Sequence, residues 1–365
     1  MLHNLERGCR SRLLRAVIAV IAVILCAWMT STEAAALPGV SAEVVHLPTA
    51  APVLTSVPAA VGFAVAATSA AAESSVEFLP YAAGAQTRPA GARRQGVLYK
   101  VSLGAKVAYL FGTIHVGEQS LYPLADEVSL ALSEADELIV ELDTRAERAF
   151  TQAVLSHGSY ATGEHIKNFV SPATMERLTA ALHAKGITVA SMAHMKPWLI
   201  ANILMGLELQ RSGLDRTHGN ESILLDYAHT RGMPVVELES AAYQLGLFDT
   251  LSPAQSESYL LESLARLSDG SAMRKARATV DAWSSGSASA LDELIPDAVS
   301  GDGVIASFTR QTLLGRRNPQ MAARIEDIMR GGHTLFVGVG LLHLLGADGL
   351  PRLLSQRGYR VERMY

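Results

Sequence analysis

The stretch Tyr109-Leu110-Phe111-Gly112-Thr113-Ile114-His115 decides the fold, because its pattern returns near the far end of the chain as Leu335-Phe336-Val337-Gly338-Val339-Gly340-Leu341-Leu342-His343. Each is an apolar β-type run ending in G-x-x-H. After the first come a helical pattern over Leu124–Ser133 and a strand over Glu137–Leu142. After the second come Gly346, a helix from about Pro351 and a closing strand over Arg360–Met364. Both units read strand, G-x-x-H, helix, strand. Glycine lets a chain leave a strand sharply. The histidine then falls just past the strand's carboxyl end, where α/β sheets place their ligands. Two such units in one sheet are expected to bring both imidazoles to a shared cleft. A structural hydrogen bond is the alternative for either histidine taken alone.

The sequence around these units supports the same architecture. Val97–Ser102 and Val107–Phe111 read as a hairpin turning at Gly104-Ala105-Lys106. Apolar residues recur at helical spacing over Leu124–Ser133, Pro172–Ala184, Met195–Leu209, Glu221–Thr230 and Pro253–Arg266. Pro123, Ser171, Asn220 and Ser252 stand where caps are expected. Short β-type runs punctuate the helices at Glu137–Leu142, Met233–Leu238, Thr334–Val339 and Arg360–Met364. Strands alternating with helices predict an α/β domain over residues 96–365, with a mainly parallel sheet, flanking helices and the two pseudo-repeated units.

The remainder of the chain is of a different material. Arg7, Arg10, Arg12 and Arg15 precede an apolar run from Ala16 to Met29, and Ala34-Ala35-Ala36 supplies small residues for cleavage. Residues 1–36 therefore read as a secretory signal, and the destination expected is the periplasm or cell envelope. The only membrane contact expected is this segment if it stays uncleaved. Residues 37–95 are rich in Ala, Pro, Ser and Thr, with Pro38, Pro48, Pro52, Pro58, Pro80 and Pro89 breaking any long helix. They read as a spacer. Both cysteines, Cys9 and Cys26, lie in the signal, so the exported chain has no thiol for a disulfide, a nucleophile or a metal. The net charge of -4 and aromatic content of 6% give no sign of nucleic-acid binding.

Three further polar residues stand out. Glu141 ends the apolar run Val140-Glu141-Leu142-Asp143, where a carboxylate is costly unless it is paired or ligating, or points to solvent. Glu239 ends Val235-Val236-Glu237-Leu238-Glu239 with the same ambiguity. Arg317-Asn318 reads either as a clamp for a carboxylate or oxyanion or as a basic helix cap. There is no H-E-x-x-H, no G-x-S-x-G elbow and no Walker loop.

Taken together, these motifs resemble the TraB/PrgY/GumN family, most closely its bacterial GumN-type members, over about Leu98 to Tyr365. The resemblance rests on Leu110-Phe111-Gly112-Thr113-Ile114-His115-Val116, Val140-Glu141-Leu142-Asp143, Met195-Lys196-Pro197-Trp198, Pro234-Val235-Val236-Glu237-Leu238-Glu239 with Gln244-Leu245, Arg317-Asn318, and Gly338-Val339-Gly340-Leu341-Leu342-His343-Leu344. In Gly219-Asn220-Glu221 the family pattern has Asp in place of Glu221, which leaves that acid without an inherited role. The family looks related to the TIKI proteases, which are metal-dependent and carry two G-x-x-H motifs, and similar in fold to erythromycin-esterase and ChaN-like proteins. The resemblance implies His115 and His343 as metal ligands or catalytic bases, Glu141 and Glu239 as acidic partners, Glu141 as a third ligand, and Arg317 as an anion clamp.

Three functions follow. The first is an exported metal-dependent hydrolase, peptidase-like, in which two imidazoles and a carboxylate hold a divalent Mn, Co or Zn and act on a peptide or small molecule. The second is a metal-free hydrolase of the erythromycin-esterase type, with a histidine as general base oriented by a glutamate. The third is a non-catalytic envelope binding protein linked to polysaccharide production.

Overall fold

The computed structural model describes residues 95–365. The expected signal over residues 1–36 and the spacer up to residue 94 lie outside the described residues. Six strands form one mixed sheet: β1 (Leu98–Leu103), β2 (Lys106–Thr113), β3 (Glu137–Val140), β4 (Val235–Glu237), β5 (Leu335–Gly340) and β6 (Arg360–Arg363). Their order across the sheet is β4-β3-β5-β2-β1-β6. The four strands β2 to β5 run parallel, while β1 is antiparallel to β2 and to β6. The expected hairpin is β1–β2. Leu103 pairs with Lys106 across a tight turn, and Gly104 adopts the positive φ of +61° that such a turn requires.

The expected helices form with shifted ends, and others join them: α1 (Asp126–Glu134), α2 (Glu147–Gly158), α3 (Pro172–His183), α4 (Pro197–Arg211), α5 (Asn220–Arg231), α6 (Ala241–Gly246), α7 (Pro253–Ser268), α8 (Ser271–Ser285), α9 (Arg317–Met329) and α10 (Leu350–Gln356). The caps at Ser171 and Ser252 are present. Ser171 accepts from the Thr174 N–H at 3.2 Å, and Ser252 forms a capping box with Gln255. Pro123 and Asn220 are not caps; Gly219 caps α5, and the Asn220 side chain is used elsewhere. Helices α2, α6, α8 and α9 are additional to the expected set. A π-helical stretch, Thr309–Leu314, precedes α9 across the turn at Gly315-Arg316.

The sheet core is apolar on both faces, as a parallel sheet between helices demands. Phe111 of β2 meets Phe336 of β5 at 5.9 Å and the edge of Trp283 at 6.2 Å between ring centroids. The buried Trp283 indole N–H donates to the Gly112 carbonyl at 2.8 Å, so α8 is tied to the middle of the sheet.

Both G-x-x-H units have the expected element order, with β2, α1 and β3 in the first and β5, α10 and β6 in the second. Their sheet positions differ: β2 and β3 flank β5, whereas β5 and β6 are separated by β2 and β1. The glycines serve a different purpose from the one expected. Gly112 lies inside β2 and Gly340 ends β5, with φ of -49° at Gly340. Neither needs left-handed backbone. A Cβ at Gly112 would meet Leu341 Cδ1 at 2.9 Å, so that glycine permits close packing rather than a sharp exit.

Candidate active site

The parallel strands deliver the candidate residues to one edge. Thr113 of β2 pairs with Gly340 of β5, and Val140 of β3 with Gly338. Past the ends of β3 and β4, the chains stay in step, because the Glu239 N–H donates to the Glu141 carbonyl at 3.0 Å. His115, Glu141, Glu239 and His343 thus all lie just beyond carboxyl strand ends, where an open α/β sheet binds ligands.

Glu141 is the hub. Its Oε1 accepts the Gly340 N–H at 2.6 Å, and its Oε2 accepts from Arg317 Nη2 at 2.5 Å. Arg317 is fully buried and also grips Glu239, through Nε at 3.0 Å to both oxygens and Nη2 at 2.8 Å to Oε2. Gln244 Nε2 donates to Glu239 at 2.9 Å. The expected role of Arg317 as a clamp for a bound anion is therefore replaced: the carboxylates it holds are the protein's own. Two carboxylates at adjacent chain ends need a buried cation to make their burial tolerable. Burial alone would raise the Glu141 carboxyl, but the charge that His343 carries in the acid range where Glu141 titrates, with Arg317, His115 and the Gly340 N–H, outweighs it and lowers the carboxyl to about 2.

His343 lies behind Glu141 and is fully buried. Its Nδ1–H donates to Asn318 Oδ1 at 2.5 Å, and the Asn318 amide is itself fixed by donating to the Asp348 carbonyl at 2.7 Å. This leaves Nε2 as a bare lone pair, buried without a hydrogen-bond partner and 3.6 Å from Glu141 Oε1. Burial pushes the imidazole down to about 3, so it is neutral at physiological pH.

His115 is held in a comparable way by Glu221, the acid that the sequence left without a role. Its Nδ1–H donates to Glu221 Oε1 at 2.9 Å, and Thr113 donates to the same oxygen. Burial opposes the Glu221 carboxylate, but the His115 charge and the His115 and Thr113 hydrogen bonds lower its pKa. The side chain that departs from the family pattern therefore reaches the first histidine. Asn220, also fully buried, pins the loop before that histidine. Its Oδ1 accepts the Ile114 N–H at 2.9 Å, its own N–H donates to the Ile114 carbonyl at 3.0 Å, and its Nδ2 donates to Tyr122 Oη at 3.0 Å. The sequence signal for both residues was their place at the start of a helix.

A narrow cleft opens over this arrangement, walled by His115, Glu141, Thr144, Arg216, Glu221 and Gln244, with a volume of about 30 Å³. That is room for one or two waters or an ion, not for an enclosed substrate. His115 and Glu141 stand on the cleft wall; His343 supports Glu141 from below, and Arg317 and Glu239 lie beside it. Among the described residues, no three His, Cys, Asp or Glu side chains are grouped closely enough to hold a metal ion. The donor chemistry nonetheless fits one. Each imidazole has its Nδ1–H anchored by an oxygen side chain, which directs Nε2 outward as a ligand. The His343 lone pair facing a carboxylate oxygen is an arrangement that a cation relieves.

The profile of the TraB/PrgY/gumN family matches residues 97–363. Two curated relatives, both called "Uncharacterized protein YbaP", one from Shigella flexneri and one from Escherichia coli strain K12, are each 25% identical over 251 residues, covering 69% of this chain and 89% of the relative. No solved structure matches. The family match spans the sheet, both G-x-x-H units and every residue of the cleft, and the chain belongs to the TraB/PrgY/gumN family.

Proposed function

We propose that this chain is an exported, metal-dependent hydrolase acting on peptide bonds, with His115, His343 and Glu141 as the ligands of a divalent Mn, Co or Zn. The observation that carries the reading is the paired anchoring of the imidazoles. Glu221 fixes His115 by Nδ1, Asn318 fixes His343 by Nδ1, and one buried carboxylate, Glu141, lies against His343 and on the same cleft wall as His115. When bound, such a cation supplies Lewis-acid polarisation of a carbonyl and acidifies water. The chain's own groups do the remainder. Glu221 sets the His115 tautomer and raises its basicity. Arg317 and the Gly340 N–H keep Glu141 ionised and oriented. The absence of cysteine from the exported chain suits a hard or borderline cation.

A second reading, a metal-free hydrolase, is favoured by one observation: among the described residues the three ligands are not gathered. In it, His115 Nε2 takes the proton of the attacking water, and Glu221 stabilises the imidazolium that forms.

The test is turnover of a mixed peptide pool by the purified exported chain, with and without added Mn, Co or Zn. The metal-dependent reading expects cleavage that a chelator abolishes and that His115→Ala reduces by about 100-fold or more. Cleavage indifferent to chelation selects the second reading. Turnover unchanged in His115→Ala contradicts both.

A further inference from the structure

We infer that the groove between α3, α4 and α7 is a second ligand site, which binds a free long-chain fatty acid by its apolar tail and its carboxylate. The groove shares no lining residue with the histidine cleft, and the inference does not rest on the hydrolase reading. Its volume is about 580 Å³, against about 30 Å³ for the cleft. Small-molecule pockets span about 300–1,000 Å³ and are common between packed helices. The walls are apolar because of what the three helices place there. Leu204 of α4 and Leu264 of α7 are buried, and Leu267 is half-buried beside them. Ala180, Ala181 and Ala184 supply the α3 wall. They share one face of that helix, and each leaves open the volume that a longer side chain would fill.

The charges of the groove choose the head group. Four line it: Arg177, Lys185, Arg211 and Glu208. Glu208 is taken by Lys185 and, at 3.8 Å, by Arg211. Those two cations also stand at the carboxyl ends of α3 and α4, where the last carbonyls carry partial negative charge. Arg177 has no such duty. It lies nearly two turns before the end of α3, and its helical neighbours one turn away are Ala173, Thr174, Ala180 and Ala181, none of them acidic. Among the described residues, no ion pair or side-chain hydrogen bond reaches its guanidinium, which is exposed. Its stem extends the apolar wall while its head stays in water. Three cations against one carboxylate leave the groove positive. A ligand that answers both halves joins a flexible apolar body to one negative group. A single-chain carboxylate does this; an alkyl cation fails the charge, and a hydrophilic ligand fails the walls.

The experiment is calorimetric titration of the purified protein with laurate, octanoate and dodecyltrimethylammonium, all below micelle-forming concentrations. Laurate is expected to bind saturably and one to one. Each further buried methylene is worth about threefold to fourfold in affinity, so laurate is expected to exceed octanoate by at least about tenfold. Laurate is also expected to exceed dodecyltrimethylammonium by about tenfold, a preference that shrinks in high salt. Arg177→Glu reverses the charge at an exposed position. It is expected to weaken laurate by about fivefold or more, beyond the range of deleting one exposed ion pair, and to strengthen the alkyl cation. Ala181→Phe puts a ring into the groove and is expected to weaken both ligands with an unchanged melting temperature. If Ala181→Phe fails to fold, Arg177→Glu decides alone. No saturable binding of laurate overturns the inference, as does equal binding of the two head groups by the wild type, or a head-group preference that Arg177→Glu leaves intact. Binding to phosphatidylglycerol vesicles without binding of free laurate makes the groove a membrane contact and likewise overturns it.

Discussion

Replacing Arg317 with methionine tests whether the buried ion cluster holds the site together. The guanidinium has no solvent exposure and bridges two carboxylates that are almost as deeply buried, Glu141 at 2.5 Å and Glu239 at 2.8 Å. Methionine fills much of the volume but leaves the two carboxylates without their shared cation, Glu141 keeping the Gly340 N–H and Glu239 the Gln244 amide. Removing one partner of a buried pair costs about 3–5 kcal/mol. At about 2–4 °C per kcal/mol for a domain of this size class, the melting temperature falls by roughly 6–20 °C. The pH dependence gives a second, sharper check. In the wild type the Glu141 carboxyl lies at about 2 against an ordinary 4.5. A depressed carboxyl contributes stability that is present above its unfolded value and is lost as pH falls through its folded one, here about 3 kcal/mol in full. Without Arg317, one of the charges that lower the carboxyl is lost and its pKa rises, so acid neutralises it sooner than in the wild type. The stability gap between wild type and Arg317→Met therefore narrows from pH 7 to pH 4. Urea melts followed by circular dichroism at both pH values measure it. A gap below about 1 kcal/mol at pH 7, or one that does not narrow in acid, refutes the argument.

Further outcomes follow from the same geometry. Asn318→Ala removes the acceptor that orients His343 and is expected to weaken divalent-metal binding by about 10- to 100-fold in a competition titration, since outer-shell partners fix their ligands. Glu221→Gln keeps an oxygen near His115 Nδ1 while removing the charge, so turnover is expected to fall with little change in melting temperature; equal loss of both would assign Glu221 a purely structural role. Gly219→Ala drives a methyl into the His115 carbonyl and is expected to depress turnover more strongly than the same substitution at Gly163, where a φ of +91° strains the backbone but the Cβ meets nothing within 4 Å.

The two G-x-x-H runs were legible because an apolar strand followed by a histidine is a local pattern, and parallel pairing of those strands was enough to bring their ends together. Glu141 and Glu239 were legible for a related reason, as charges closing apolar runs. What the local pattern does not carry is which charge answers which. Arg317 reads as a clamp for a ligand, but two adjacent carboxylates leave more negative charge than the strand edge tolerates, and the protein itself consumes the guanidinium. Glu221 and Asn220 were missed because their partners, His115 and Ile114, are remote in sequence, and because a glutamate in place of the family's aspartate looked like a loss. The extra methylene still reaches His115 Nδ1 at 2.9 Å. Helix α8 was not read for a different reason: three of its five buried residues are the alanines Ala272, Ala276 and Ala282, and only Val280 and Trp283 mark the buried face with large side chains.

The central claim is that His115, His343 and Glu141 form one metal-binding centre. The most direct measurement is metal content by mass spectrometry on the purified protein after repletion with Mn, Co and Zn, for the wild type and for His115→Ala and His343→Ala. The account predicts about one divalent ion per chain in the wild type and its loss in both variants. No bound metal in the wild type, or full occupancy in either variant, would contradict it.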